Sequence, residues 1–205
     1  DSFDMAAGRR RGVATDPGMS IAGWLDLGCH PASRADAVRA VQVLVCRSTD
    51  GVLRMTYRLS GDFSRIRLPP AGAPRFAMEL WRHTCFEAFV AVEGKPAYHE
   101  FNFAPSGEWA LYAFSGYRKS APFSNETMGP DIAVRATDDR LEMDVVVRLA
   151  LLSVAHARAA LRVGLSAVIE TDDGLSYWAL RHPGERPDFH DARGFALMLE
   201  PPERG

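Results

Sequence analysis

The chain has 205 residues, with 24 basic and 26 acidic side chains and a formal net charge of -2. A balance this near neutrality supplies no global field toward nucleic acid or anionic lipid, which excludes partners held by bulk charge. A hydrophobic fraction of 47% and a charged fraction of 24% belong to a chain that buries one sizeable core, so a single domain is expected rather than disorder.

Residues 1–18 carry Gly8-Arg9-Arg10-Arg11-Gly12 and end just before Met19. They read as a disordered extension ahead of a folded domain over 19–205, because three arginines fall short of a polybasic patch. They also lack the apolar stretch of a secretory signal, and no run of about 18 apolar residues is present to span a bilayer. Cys29, Cys46 and Cys85 are scattered and form no C-x-x-C pair, so free thiols in a reducing compartment are expected. Together these features predict a cytoplasmic protein without a membrane partner.

Beyond Pro31, Ala32 to Val38 has room for two helical turns. Val41, Val43 and Val45 then alternate up to Ser48-Thr49-Asp50-Gly51, after which Leu53, Met55, Tyr57 and Leu59 alternate with Arg54, Thr56 and Arg58. Two alternating runs around an Asp-Gly step predict a hairpin, because glycine supplies the positive φ of a tight turn. Phe63 to Leu68 reads as a further strand, and Pro69 to Pro74 as a stiff surface loop. Period-two patterning recurs over Cys85 to Val92, Tyr98 to Phe103, Trp109 to Phe114, Ile132 to Ala136 and Leu141 to Val147. Leu149 to Leu161 is helical in composition, and strands resume over Val163 to Glu170, Ser176 to Leu180 and Phe195 to Leu199. The spacing predicts an all-β chain: a jelly-roll-like antiparallel β-sandwich of roughly ten strands with one or two short helices.

Aromatic and polar side chains concentrate in three stretches: Leu80 to Phe89, Tyr98 to Phe103, and Ser176 to His190. Alternation puts Cys85, Glu87 and Phe89 on one strand face, with Phe86, Ala88 and Val90 on the other. It likewise separates Phe101 and Phe103 from a polar row of Tyr98, Glu100 and Asn102, which can line a groove or merely meet water. A sugar site needs flat aromatic faces against C–H surfaces and a few fixed polar groups for hydroxyls. Trp81 and Phe189 are candidates for the faces, Glu87 and Asn102 for the polar groups, and Arg82 and His190 for the rim. Ordinary core packing is an equal reading of Trp81 and Phe189.

These stretches resemble the family-9 carbohydrate-binding modules and the DOMON-like ligand-binding domains related to them. Trp81 to Val90 is similar to that family's tryptophan loop running into a strand with a fixed glutamate, and Asn102 follows at the family's distance. Ser176-Tyr177-Trp178, Pro187-Asp188-Phe189-His190 and Gly194-Phe195 are similar to its closing segment. The resemblance covers Leu80 to Leu199 and carries Trp81, Glu87, Asn102 and Phe189 over as ligand-binding residues. It departs at Phe189, where tryptophan is usual, and at Thr84, where aspartate is usual. It implies a non-catalytic binding domain for a small polar ligand, a saccharide.

Cytochrome-like members of the same superfamily hold haem through methionine and histidine, which makes Met78 with His182 or His190 the haem alternative. An enzyme built on His83 and Cys85 is the other, since a neighbouring histidine activates a thiolate. No third orienting group accompanies that pair, and G-x-S-x-G, P-loop and G-x-G-x-x-G motifs are absent. His83, Cys85, His99, His182 and His190 lack the close spacing of recognised zinc sites, and no set of oxygen ligands for calcium assembles. No catalytic residue, metal ligand or cofactor is therefore assigned.

Overall fold

The computed structural model describes residues 20–21, 23–123 and 128–202, so the extension expected over residues 1–18 lies outside it. The described residues form β1 (Ser20–Ile21), β2 (Leu25–Cys29), β3 (Val38–Arg47), β4 (Val52–Gly61), β5 (Cys85–Val92), β6 (Tyr98–Phe103) and β7 (Trp109–Gly116). There follow β8 (Lys119–Ala121), β9 (Asp131–Ala136), β10 (Arg140–Arg148), the single helix α1 (Val154–Arg158), β11 (Leu161–Thr171), β12 (Gly174–Ala179) and β13 (Leu197–Leu199). Every pairing between these strands is antiparallel.

The strands follow one path, β8-β7-β6-β5-β11-β12-β2-β3-β4-β10-β9, with β1 added to β3 and β13 to β11. β2 makes the fold a sandwich. Leu25, Asp26 and Leu27 pair with β3, whereas Gly28 and Cys29 pair with β12, so one short strand passes from one layer to the other. Between the layers, Phe86, Ala88 and Val90 of β5 and Phe101 and Phe103 of β6 pack against Leu53, Met55 and Tyr57 of β4. The Tyr57 ring stands 5.0 Å from that of Phe86, and its hydroxyl donates to the Glu87 carbonyl at 2.9 Å. A buried phenol thus finds an acceptor across the core instead of losing a hydrogen bond to burial.

The β3–β4 hairpin has the expected face inward, with Val41 opposite Leu59, Val43 opposite Tyr57 and Val45 opposite Met55. Gly51 adopts φ +78, and a Cβ built there would meet that of Ala157 at 2.9 Å. Glycine is required at this turn by both conformation and space.

Three local expectations give way. Phe63 to Leu68 makes only an isolated bridge, Ile66 to Thr171, because Asp62 Oδ1 accepts from Ser64 N and curls the chain before Pro69-Pro70 removes two donors. Ala32 to Val38 runs through turns, in which His30 Nδ1 takes the Ala32 N–H, and enters β3 at Val38, leaving no helical ladder. Leu149 to Leu161 divides into a 3-10 turn at Leu149–Leu151 and α1, which starts where the Ser153 side chain accepts from His156 N. β2 and β8 are strands that patterning did not suggest: one contains a glycine at the layer crossing, and the other, Lys-Ser-Ala, offers no apolar alternation.

Candidate functional site

β5 and β11 are buried on both faces. Their inner face meets the core, while segments preceding β5 and following β12 cover the outer one. The outer face of β5, β6 and β11 therefore carries polar groups that are neither in the main core nor freely in water.

Glu87 lies directly opposite Asn102 on β6 and opposite Ser166 on β11. Its carboxyl takes the Ser166 hydroxyl at 3.3 Å and is 2% exposed. Asn102 is fully buried and donates through Nδ2 to Glu100 Oε1 at 2.8 Å. Glu100 is 6% exposed, and its other oxygen lies 3.5 Å from His190 Nε2. His190 Nδ1 is 2.8 Å from the Tyr98 hydroxyl, which in turn accepts from Arg118 N at 3.2 Å. The row of Tyr98, Glu100 and Asn102 thus faces the loop holding His190, to which Tyr98 is hydrogen-bonded.

Burial, reinforced by repulsion from Glu100, holds the Glu87 carboxyl well above the usual carboxylate range despite the Ser166 hydrogen bond. Burial also raises Glu100, opposed by Asn102 and Arg118. Two carboxyls this close and this dry cannot both ionise cheaply. His190 is pushed down to about 4, first by burial and then by Arg118. It is neutral near pH 7, so its 3.5 Å approach to Glu100 is not an ion pair.

A cavity of about 540 Å³ opens over this floor. Trp81, Phe89, Tyr112, Phe114, Tyr177 and Phe189 supply its aromatic walls, and Glu87, Glu100 and His190 its buried polar lining. Trp81 stands on a 3-10 turn, Leu80–Arg82, anchored by buried Leu80 against Cys85, Ala104 and Ala110, and is itself 45% exposed. The loop bearing Phe189 and His190 is tied down by Asp188. That carboxylate accepts from Arg118 Nη2 at 2.8 Å, from Tyr117 Oη at 2.6 Å and from His190 N at 3.1 Å. Burial alone would raise Asp188, but these hydrogen bonds outweigh it and hold the carboxyl below its ordinary value.

Trp81, Glu87, Phe189 and His190 accordingly line one cavity, while two other candidates do not. Asn102 sits behind Glu100 as a buried support. Arg82 points to the rim, where it pairs with Glu79 at 2.9 Å and lies 5.4 Å from the Trp81 ring. Glu100 and Phe89 escaped selection although strand alternation already placed them beside Asn102 and Glu87. Arg118 and Tyr112 carried no local signal: pairing of β6 with β7 brings Tyr112 to the site, and Arg118 stands in the turn between β7 and β8.

The haem alternative finds no fit. Met78 lines the cavity, but the two His190 nitrogens face Tyr98 and Glu100, and His182 Nε2 lies 2.8 Å from the Gly28 carbonyl. His83 and Cys85 are separated: His83 is exposed and lies 2.7 Å from Glu170, whereas Cys85 is fully buried with Sγ 3.5 Å from Asn102 Oδ1. Burial first, then Glu87, pushes that thiol well above its usual range, the opposite of an activated thiolate. Among the described residues no group of three or more His, Cys, Asp or Glu side chains could hold a metal ion. Nor is any described helix long and apolar enough to cross a membrane.

No family model matches the sequence, and no curated protein matches it. Among solved structures the chain is similar to a crystal structure titled as a "putative carbohydrate-binding protein" from Bacteroides uniformis ATCC 8492, with a TM-score of 0.58. The two are 14% identical over 84% of this chain and 83% of the other. At that identity the likeness is one of fold.

Proposed function

We propose that this chain is a non-catalytic binding domain for a small saccharide, held in the cavity over β5, β6 and β11. The observation that carries the reading is a concave site with exposed Trp81 and half-buried Phe189 on its walls and buried hydrogen-bonding carboxyls on its floor. Flat apolar rings suit the C–H faces of a pyranose, and a few fixed polar groups suit its hydroxyls. The solved structure of like fold, with its carbohydrate-binding title, supports the same reading, as does the resemblance to family-9 modules and DOMON-like domains. A non-enzymatic role agrees with Cys85 being inaccessible. The free thiols are compatible with a cytoplasmic site of action.

The test is a thermal-shift screen of neutral, amino and acidic mono- and disaccharides, followed by titration calorimetry. A sugar present at a hundred times its Kd stabilises by about 2.7 kcal/mol, which for a chain of this size raises Tm by roughly 5–10 °C. If no saccharide at millimolar concentration moves Tm or gives heat, the reading is wrong.

A further inference from the structure

The charges around the cavity are unevenly divided. Glu79, Glu87 and Glu100 line it, and Arg118 is the basic residue among its lining groups. Asp188 already matches the Arg118 charge at 2.8 Å, and Arg82 is turned to Glu79. The remaining nitrogen base, His190, is neutral near pH 7. An acidic sugar entering here would leave water and find no free counter-charge, at considerable cost.

The floor carboxyl is also weakly held. Ser166 donates to Glu87 Oε2 at a long 3.3 Å, and the carboxyl lines the cavity. Glu100 lies diagonally across the β5–β6 ladder, opposite Phe89, so the two carboxyls share one sheet face and a separation of roughly 7–8 Å between backbones. Burial disfavours ionisation of both, and at Glu87 the neighbouring Glu100 adds to it. A hydroxyl leaves that situation unchanged. An ammonium group alters it, because three N–H donors and one positive charge stabilise the ionised form of the carboxyls. The walls are built from the rings of Trp81, Phe89, Phe114 and Phe189, and an aromatic face favours a cation over an anion.

From this arrangement we infer that the ligand carries a protonated amine: an amino sugar whose ammonium docks between Glu87 and Glu100 with its ring against the aromatic walls. The inference rests on the saccharide reading of the cavity and specifies its chemical class. Docking the ammonium expels carboxyl protons, so affinity for the amine rises with pH while the amine stays charged. The other shifted groups around the pair move away from the range of about pH 5 to 7. Asp188 is held low and His190 lies near 4, whereas burial raises Tyr57, Tyr98, Tyr112 and Cys85. Arg118 stays charged throughout, and Glu79 stands exposed on the rim.

The experiment is calorimetric titration of the intact chain with glucosamine, glucose, glucuronate and ethanolamine at about pH 5, 6 and 7, repeated on Glu87→Gln and Glu100→Gln. Glucosamine is expected to bind about tenfold tighter than glucose at the highest pH, since a charge-assisted hydrogen bond is roughly twice as strong as a neutral one. The preference should shrink toward pH 5, glucuronate should bind weakest, and each substitution should reduce the preference to within about twofold. A melt verifies folding of the variants, and the pH series on the unmodified chain stands even if one does not fold. Glucose binding as tightly as glucosamine, or a preference insensitive to pH, overturns the amine and leaves the saccharide reading standing. Ethanolamine matching glucosamine while glucose fails keeps the amine and overturns the saccharide. Silence from all four overturns both.

Discussion

Truncating Trp81 separates a cavity wall from a core side chain, and the structure sets the scale of the difference. Fully buried tryptophan or phenylalanine costs about 3–5 kcal/mol when cut to alanine. Trp81 is 45% exposed and belongs to no buried cluster, while the anchor of its turn, Leu80, is untouched by the substitution. About half of that cost is an upper bound, and the Arg82 guanidinium at 5.4 Å adds at most about 0.5–1 kcal/mol at an exposed site. Trp81→Ala should thus lose no more than about 2–3 kcal/mol, with the urea m-value unchanged. Phe86→Ala, by contrast, removes a fully buried ring that packs on Tyr57 and should lose about 3–5 kcal/mol. Binding must order the two oppositely. An aromatic anchor in a ligand pocket is worth about 2 kcal/mol, so Trp81→Ala should weaken the tightest saccharide of the screen by roughly thirtyfold. Urea melts and calorimetric titrations of both variants give the four numbers. The reasoning collapses if Trp81→Ala is destabilised as much as Phe86→Ala, or if it binds the saccharide as the parent does.

Three further outcomes follow from the same geometry. Asp188→Asn keeps the shape of the side chain but removes the charge that holds Arg118 and Tyr117; saccharide affinity should fall several-fold while stability drops by about 1 kcal/mol or less, because the Arg118 side of the pair is half exposed. His99 is pushed down to about 4, chiefly by burial and then by His156, so its contribution to stability is present above about pH 6.5 and is lost as pH falls toward 4. The urea midpoint of the parent should accordingly drop relative to His99→Asn over that window, by less than about 1.4 kcal/mol per pH unit since the ring is partly exposed; a constant difference between the two contradicts it. Alkylation under denaturing conditions without reductant should add three adducts, at Cys29, Cys46 and Cys85, which are unpaired; fewer, by intact mass, would reveal a bridge.

Strand faces were legible from sequence because side chains in an extended chain alternate whatever the strand pairs with. That rule alone separates Phe86, Ala88 and Val90 from Glu87, and Phe101 and Phe103 from Asn102. It also brings Val41, Val43 and Val45 to the same side as Leu53, Met55 and Tyr57 once Asp50-Gly51 turns the chain. The class of fold, the hairpin and most strand limits come from this local chemistry. Phe63 to Leu68 defeated it because alternation is a necessary condition for a strand and not a sufficient one: Asp62 and the two prolines decide the backbone there.

Which polar face meets water is another matter, since it depends on what covers the sheet. Only the tertiary structure places β11 between β5 and β12, so that Ser166 stands beside Glu87, and only the pairing of β6 with β7 brings Tyr112 and Phe114 to the same cavity. Asp188 has no sequence signature linking it to Arg118, seventy positions earlier, yet that contact seats Phe189 and His190 over the floor. Burial then raises the Glu87 and Glu100 carboxyls above their ordinary range. The sequence by itself determined the residues that make a sheet face polar; the assembly of distant strands and loops decided that this face would be a dry pocket, because desolvation and charge repulsion depend on distances in space that no local pattern encodes.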